Sequence, residues 1–144
     1  MDLGINGRAA LVAASSAGLG YATAKALAES GCKTVISGRN EERLHKAAET
    51  IPNAIPIIGD VSTVEGSIQL VKQANDALGS SIEILVTNAG GPPPGTFETT
   101  EIDQYLAALE LNLMSIVAMT KETVPEMQKK GWGRVLAITS ISVR

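Results

Sequence analysis

Five short apolar runs recur along the chain, and stretches with apolar residues three and four positions apart lie between them. The runs are AALVAA (9–14), KTVIS (33–37), AIPIIG (54–59), EILVT (83–87) and RVLAIT (134–139). They are nearly continuous rather than alternating, which is the pattern of strands covered on both faces. The intervening stretches carry helix start signals, and Ser62-Thr63-Val64-Glu65 and Thr100-Glu101-Ile102-Asp103 both read as capping boxes. The last stretch places Ile102, Leu106, Leu109, Leu113, Val117, Thr120 and Val124 on one stripe, which predicts a single long helix with a buried face. Pro125 falls inside this pattern and is expected to kink the helix or end it early. Strict alternation of strand and helix predicts an α/β fold: a doubly wound parallel sheet with helices on both faces.

Length and composition narrow the picture. At 144 residues the chain is the size of one domain, with enough apolar residues for a hydrophobic core. The formal charge is −3 and no basic stripe occurs, so nucleic acid is not the expected partner. The single cysteine, Cys32, follows Gly31 at the start of an apolar run and reads as a small packing residue. Without a possible internal disulfide, a cytoplasmic location is expected. The opening MDLGINGRAA lacks the pattern of a secretory signal, and LNLMSIVAM is far shorter than the ~20 residues of a membrane span. No linker or internal repeat divides the chain. The segment GGPPPG (91–95 with its preceding Gly90) reads as a stiff loop belonging to the site after the fourth strand.

Candidate chemistry begins where the first strand meets its helix, at Ser15-Ser16-Ala17-Gly18-Leu19-Gly20. A glycine-rich turn opening a helix offers free backbone N–H groups and the positive end of the helix dipole to a phosphate. The spacing matches neither the common G-x-G-x-x-G fingerprint nor the P-loop, so the turn alone admits a pure packing role.

The later motifs decide between these. A-A-S-S-A-G-L-G, G-R-N after the second strand, Asp60-Val61 after the third and Asn88-Ala89-Gly90 after the fourth follow in order. With Asn112 in the next helix and Ser140 after the fifth strand, this series resembles the short-chain dehydrogenase/reductase family along essentially the whole chain. The resemblance leans toward its 3-oxoacyl-[acyl-carrier-protein]-reductase-like branch. It implies a Rossmann-type sheet, NADP(H) as cofactor, and hydride transfer between a carbonyl and a secondary alcohol. It also implies roles. Gly18, Leu19 and Gly20 would line the pyrophosphate, with Ser15 and Ser16 also at the cofactor, Asp60 and Val61 would hold the adenine, and Asn88, Ala89 and Gly90 would border the adenine ribose. Asn112 would hold a water of the proton relay, and Ser140 would bond the substrate carbonyl. No metal is implied. One departure stands out: the family's Thr-Gly at the start of the turn is Ala13-Ala14 here. The methyl of Ala14 is expected to disfavour positive φ, and the lost threonine hydroxyl to remove a cross-strand hydrogen bond.

Cofactor choice is read at the end of the second strand. Gly38 stands where an acid would bind the ribose hydroxyls of NAD, and Arg39 beside it can pair with the 2′-phosphate of NADP(H). Tyr21 and Lys25 have the Y-x-x-x-K spacing of the family's acid–base pair but lie on the first helix, so they read as a coincidence. The family's own pair would fall just beyond Ser140, and the chain is expected to be the N-terminal part of the family fold, inactive by itself. The alternative is a non-catalytic dinucleotide-binding or regulatory domain. A hydrolase using Ser140 lacks a partner, because the only histidine, His45, sits on the second helix. The resemblance also implies a homo-oligomer, dimer or tetramer, paired through the stripe from Ile102 to Val124.

Overall fold

The computed structural model describes residues 2–140. Five parallel strands, β1 (Ala9–Val12), β2 (Lys33–Gly38), β3 (Ile55–Ile58), β4 (Ile84–Thr87) and β5 (Arg134–Ala137), form one sheet in the order β3-β2-β1-β4-β5. The helices are α1 (Gly18–Glu29), α2 (Glu41–Glu49), α3 (Val64–Leu78), α4 (Ile102–Leu109) and α5 (Ser115–Lys130). The strand order reverses between β1 and β4, and this is the crevice where open α/β sheets bind ligands.

Alternation along β1 builds the two cores. Ala9, Leu11 and Ala13 face α3 and α5 and pack with Leu70, Val71 and Met119. Ala10 and Val12 face α1 and α2 and pack with Ala24, Ile36 and Leu44. Small residues at Gly20, Ala24 and Ala28 form the buried stripe of α1, so this helix lies close against the sheet. At the amino ends of the strands Glu83 ties three of them together. Its carboxylate accepts from Arg8 Nη1 at 2.7 Å and from the Ala9 N–H at 3.2 Å, while the Arg8 and Arg134 guanidiniums lie 4.0 and 4.8 Å from the centre of the Trp132 ring.

Several expectations are corrected. The predicted single long helix is α4 and α5 joined by a π-helical turn, Glu110–Met114, and Pro125 does not end it: α5 continues to Lys130. Both start signals slip by one residue. The cap of α3 is Thr63, whose Oγ1 accepts from the Gly66 N–H at 3.0 Å, because Asp60 already holds the Ser62 N–H at 2.9 Å. At α4 the cap is Glu101, whose N–H donates to Gln104 Oε1 at 2.8 Å. The stripe expected to be buried is largely bare: Ile102 is 75 % exposed, Leu106 61 % and Leu113 51 %. Strand β5, expected to be covered on both faces, is exposed at every residue, while β1 and β4 are buried throughout. Periodicity identified the apolar face of α4 correctly, but it carries no information on what covers that face.

Candidate functional site

The carboxyl ends of the strands open into a cleft of about 410 Å³, bounded by the β1–α1 turn, the end of β2, the segment after β3 and Asn88–Gly91 after β4. Of the residues expected at the cofactor, Ser16, Gly18, Leu19, Arg39, Asp60, Val61, Asn88, Ala89 and Gly90 all line it. Leu111, from the π-helical turn, also lines it.

The β1–α1 turn is shaped for an anion. Ala17 caps α1 without any side-chain hydrogen bond, whereas Asn40 caps α2 and Thr63 caps α3 with theirs. The first N–H groups of α1 therefore remain available at the positive end of the helix dipole. Gly18 has φ +61°, and a side chain there, or at Gly90, would meet nothing within 4 Å. A dinucleotide's pyrophosphate fits a turn with open space above it and uncapped amides below.

Two residues expected at the cofactor, Ser15 and Gly20, do not line the cleft. Ser15 is fully buried, and its hydroxyl donates to the Val12 carbonyl at 2.7 Å. Gly20 faces inward: a Cβ there would lie 2.7 Å from Asn88 Nδ2 and 2.8 Å from the Ala14 carbonyl oxygen. Those two atoms are themselves hydrogen-bonded at 2.9 Å, so Asn88 braces the turn from β4 across the crevice. Ala14 does adopt the left-handed region, with φ 47°, despite its methyl.

At the other end of the cleft lies a feature that the sequence reading missed. Arg43 lines the cleft together with Arg39 and donates from Nε to Ser16 Oγ at 3.3 Å. Asn40 caps α2 through a 2.8 Å bond from the Arg43 N–H, which brings the first turn of that helix, and Arg43 with it, back toward the β1–α1 turn. Nothing in the local sequence marks it, because Arg39 precedes the cap of α2 and shares no helix face with Arg43. Asp60 lines the same cleft. Its carboxyl is held below the ordinary aspartate range by the Ser62 N–H first, against a smaller opposing effect of burial, with help from the Ser62 hydroxyl and the Arg39 charge.

The two residues expected to serve the reaction, Asn112 and Ser140, are both exposed. Asn112 lies at the middle of the π-helical turn, exposed, and its side-chain amide donates to the Ala108 carbonyl at 3.1 Å. Ser140 follows β5 by three residues and is exposed. Neither lines the cleft. Tyr21 lies elsewhere: its hydroxyl is 2.8 Å from Thr50 Oγ1, and its ring packs on the core between α1 and α2. Among the described residues no cluster of His, Cys, Asp and Glu could hold a metal ion. No helix among them is long and apolar enough to cross a membrane.

A cleft at the switch point of a doubly wound parallel sheet is where proteins of this architecture bind their ligands. Residues 8–144 match the family model described as short chain dehydrogenase, and the chain belongs to that family. It is 31 % identical over 149 residues to the dehydrogenase/reductase SDR family protein 7-like of Anopheles gambiae, covering 95 % of this chain and 46 % of that one. Among solved structures it resembles a 7α-hydroxysteroid dehydrogenase complexed with NADH and 7-oxo glycochenodeoxycholic acid, with TM-score 0.89 and 29 % identity over 96 % of this chain and 55 % of that one. The L-sorbose reductase of Gluconobacter frateurii, complexed with NADPH and L-sorbose, also gives a TM-score of 0.89, with 31 % identity over 98 % and 55 % of the two chains. The chain spans about half the length of the curated relatives it matches.

Proposed function

We propose that this chain is the cofactor-binding part of an NADP(H)-dependent oxidoreductase that interconverts a carbonyl and a secondary alcohol, with a 3-oxoacyl thioester as the first substrate to try. The observation that carries the cofactor choice is the pair Arg39 and Arg43 at the end of the cleft where Gly38 leaves no carboxylate. Relatives of this fold bind NADH or NADPH, so the family alone does not decide. Charge does. A 2′-phosphate placed between two guanidiniums gains charge-assisted hydrogen bonds that a ribose hydroxyl cannot match. An acid at position 38 would also crowd Ser16, because a Cβ there would lie 3.2 Å from Ser16 Oγ.

The bound nicotinamide supplies or accepts the hydride. The chain's own residues hold the cofactor and orient it. Uncapped α1 amides and Gly18 take the pyrophosphate, and Arg39 and Arg43 take the 2′-phosphate. Asp60, kept ionised by the Ser62 N–H, accepts from the adenine amino group. Ser140 donates to the substrate carbonyl and Asn112 holds a water of the proton relay. The protein works in the cytoplasm as a homo-oligomer that pairs through the bare face of α4 and α5.

Turnover of a diketone or a 3-oxoacyl thioester with NADPH, measured on the whole gene product, tests the reading. Ser140→Ala is expected to cut kcat by about a hundredfold or more while leaving NADPH affinity unchanged, as for one lost oxyanion donor. Normal turnover in that variant removes Ser140 from the mechanism. Tight NADPH binding with no turnover of any carbonyl substrate favours the alternative, a non-catalytic dinucleotide-binding or regulatory domain.

A further inference from the structure

The loss of Thr-Gly at Ala13-Ala14 leaves a problem for this turn: an alanine held at φ 47°, in a region that costs an L-residue about 1–2 kcal/mol. Something must hold it there. Two serines, both fully buried, meet across the gap between the turn and the end of β2. The Ser15 N–H donates to the Ser37 carbonyl at 2.7 Å, and the Ser37 N–H donates to Ser15 Oγ at 3.0 Å. The Ala14 N–H donates to Ser37 Oγ at 3.1 Å, and Ser15 Oγ donates onward to the Val12 carbonyl at 2.7 Å. Every backbone N–H of the strained step is thus answered by the other serine or its backbone.

We propose that Ser15 and Ser37 form a clasp that replaces the missing Thr-Gly and acts as a positioning device for dinucleotide binding. It holds Ala14 in the left-handed conformation and so aims the uncapped α1 amides into the cleft. The inference rests on the reading of the cleft as a dinucleotide site. The clasp also neighbours both ends of that site. Ser37 precedes Gly38 and Arg39 in the chain, while Ser15 precedes Ser16, which Arg43 bonds. The clasp lies between the pyrophosphate turn and the arginine end but itself bonds neither arginine. Because the clasp acts on the pyrophosphate turn, which NADPH and NADH share, it sets affinity for both and leaves the choice between them to the arginines.

The test titrates NADPH and NADH against the parent chain, Ser37→Ala, Ala14→Gly and the double variant Ser37→Ala/Ala14→Gly. Ser37→Ala is expected to weaken both cofactors about tenfold with their ratio unchanged, as for one lost buried hydrogen bond. Adding Ala14→Gly, which holds positive φ without support, is expected to restore most of the loss. Thr123→Ala is the stability control: its buried hydroxyl bonds the Met119 carbonyl at 3.0 Å within α5, so it destabilises without touching affinity. If Ser37→Ala does not fold, Ser15→Ala carries the same expectation. Unchanged affinities, a changed NADPH-to-NADH ratio, or no rescue by Ala14→Gly overturns the proposal. Hydrogen exchange of the Ala14 amide in the free chain separates this from a failure of the dinucleotide reading. A parent that binds neither cofactor defeats that reading, and an Ala14 amide as unprotected in the parent as in Ser37→Ala defeats the clasp.

Discussion

Replacing Gly20 by alanine sets two opposing effects against each other, and the structure decides which one wins. Gly20 is the third residue of α1, and alanine in a helix interior is worth up to about 1 kcal/mol over glycine. On propensity alone Gly20→Ala stabilises. Against this, the new Cβ would lie 2.7 Å from Asn88 Nδ2, 2.8 Å from the Ala14 carbonyl oxygen and 3.0 Å from the Ser15 Cα. Two of these are backbone atoms of a turn fixed by buried hydrogen bonds, so they cannot yield cheaply. Overpacking of this kind costs about 1–3 kcal/mol, and losing the Asn88 to Ala14 hydrogen bond adds about 1 kcal/mol. The clash wins, for a net loss of about 2 kcal/mol. At about 2–4 °C per kcal/mol for a chain near this size, Tm should fall by roughly 4–8 °C. Circular dichroism melts of parent and variant measure it, with denaturant titration as a second readout. A variant with equal or higher Tm shows that the turn yields freely and refutes the close approach of α1 to Asn88.

Ala14→Gly alone relieves the left-handed alanine at a cost in unfolded-chain entropy, and the expected net gain is about 0.5–1 kcal/mol, read from the denaturation midpoint. Burial by itself would raise the Glu83 carboxyl, but the Ala9 N–H, the Arg8 guanidinium and the Lys130 charge outweigh it and leave the group below its ordinary range. Its contribution is therefore complete above the unfolded-state value and lost as pH falls through the depressed folded value, so Glu83→Gln should flatten the acid limb of stability against pH. Tyr21→Phe removes only the bond to Thr50, so it should cost no more than about 1 kcal/mol and leave any pH–rate profile of the whole gene product unchanged. Leu106→Gln with Leu113→Gln, both on the bare face of α4 and its π-helical extension, should weaken self-association in sedimentation runs, and a parent that stays monomeric at micromolar concentration contradicts pairing through that face.

What the sequence made legible is what local pattern encodes. The continuous apolar runs marked all five strands to within two residues at each end, and their alternation with helices implied the parallel sheet. The cleft was legible because Gly18, Asp60 and Asn88 each follow a strand, and a parallel sheet brings all carboxyl ends to one side. Three things were not legible, for different reasons. Arg43 reads as an ordinary helix residue until the Asn40 cap sets the entry of α2 and turns that side chain toward Ser16. Ser37 looks like a polar lapse in a strand, and its role exists only once β2 lies beside the β1–α1 turn. The long stripe of α4 and α5 has helical periodicity, yet burial depends on a neighbour, and periodicity specifies none.

The measurement closest to the central claim is calorimetric titration of NADPH and NADH, side by side, into the parent chain and into Gly38→Asp/Arg39→Leu/Arg43→Leu. NADPH should bind the parent at least about tenfold tighter than NADH, the effect of one charge-assisted pair, and the triple variant should reverse that preference. Equal affinities in the parent, binding of neither cofactor, or a preference that survives the loss of both arginines contradicts the central claim.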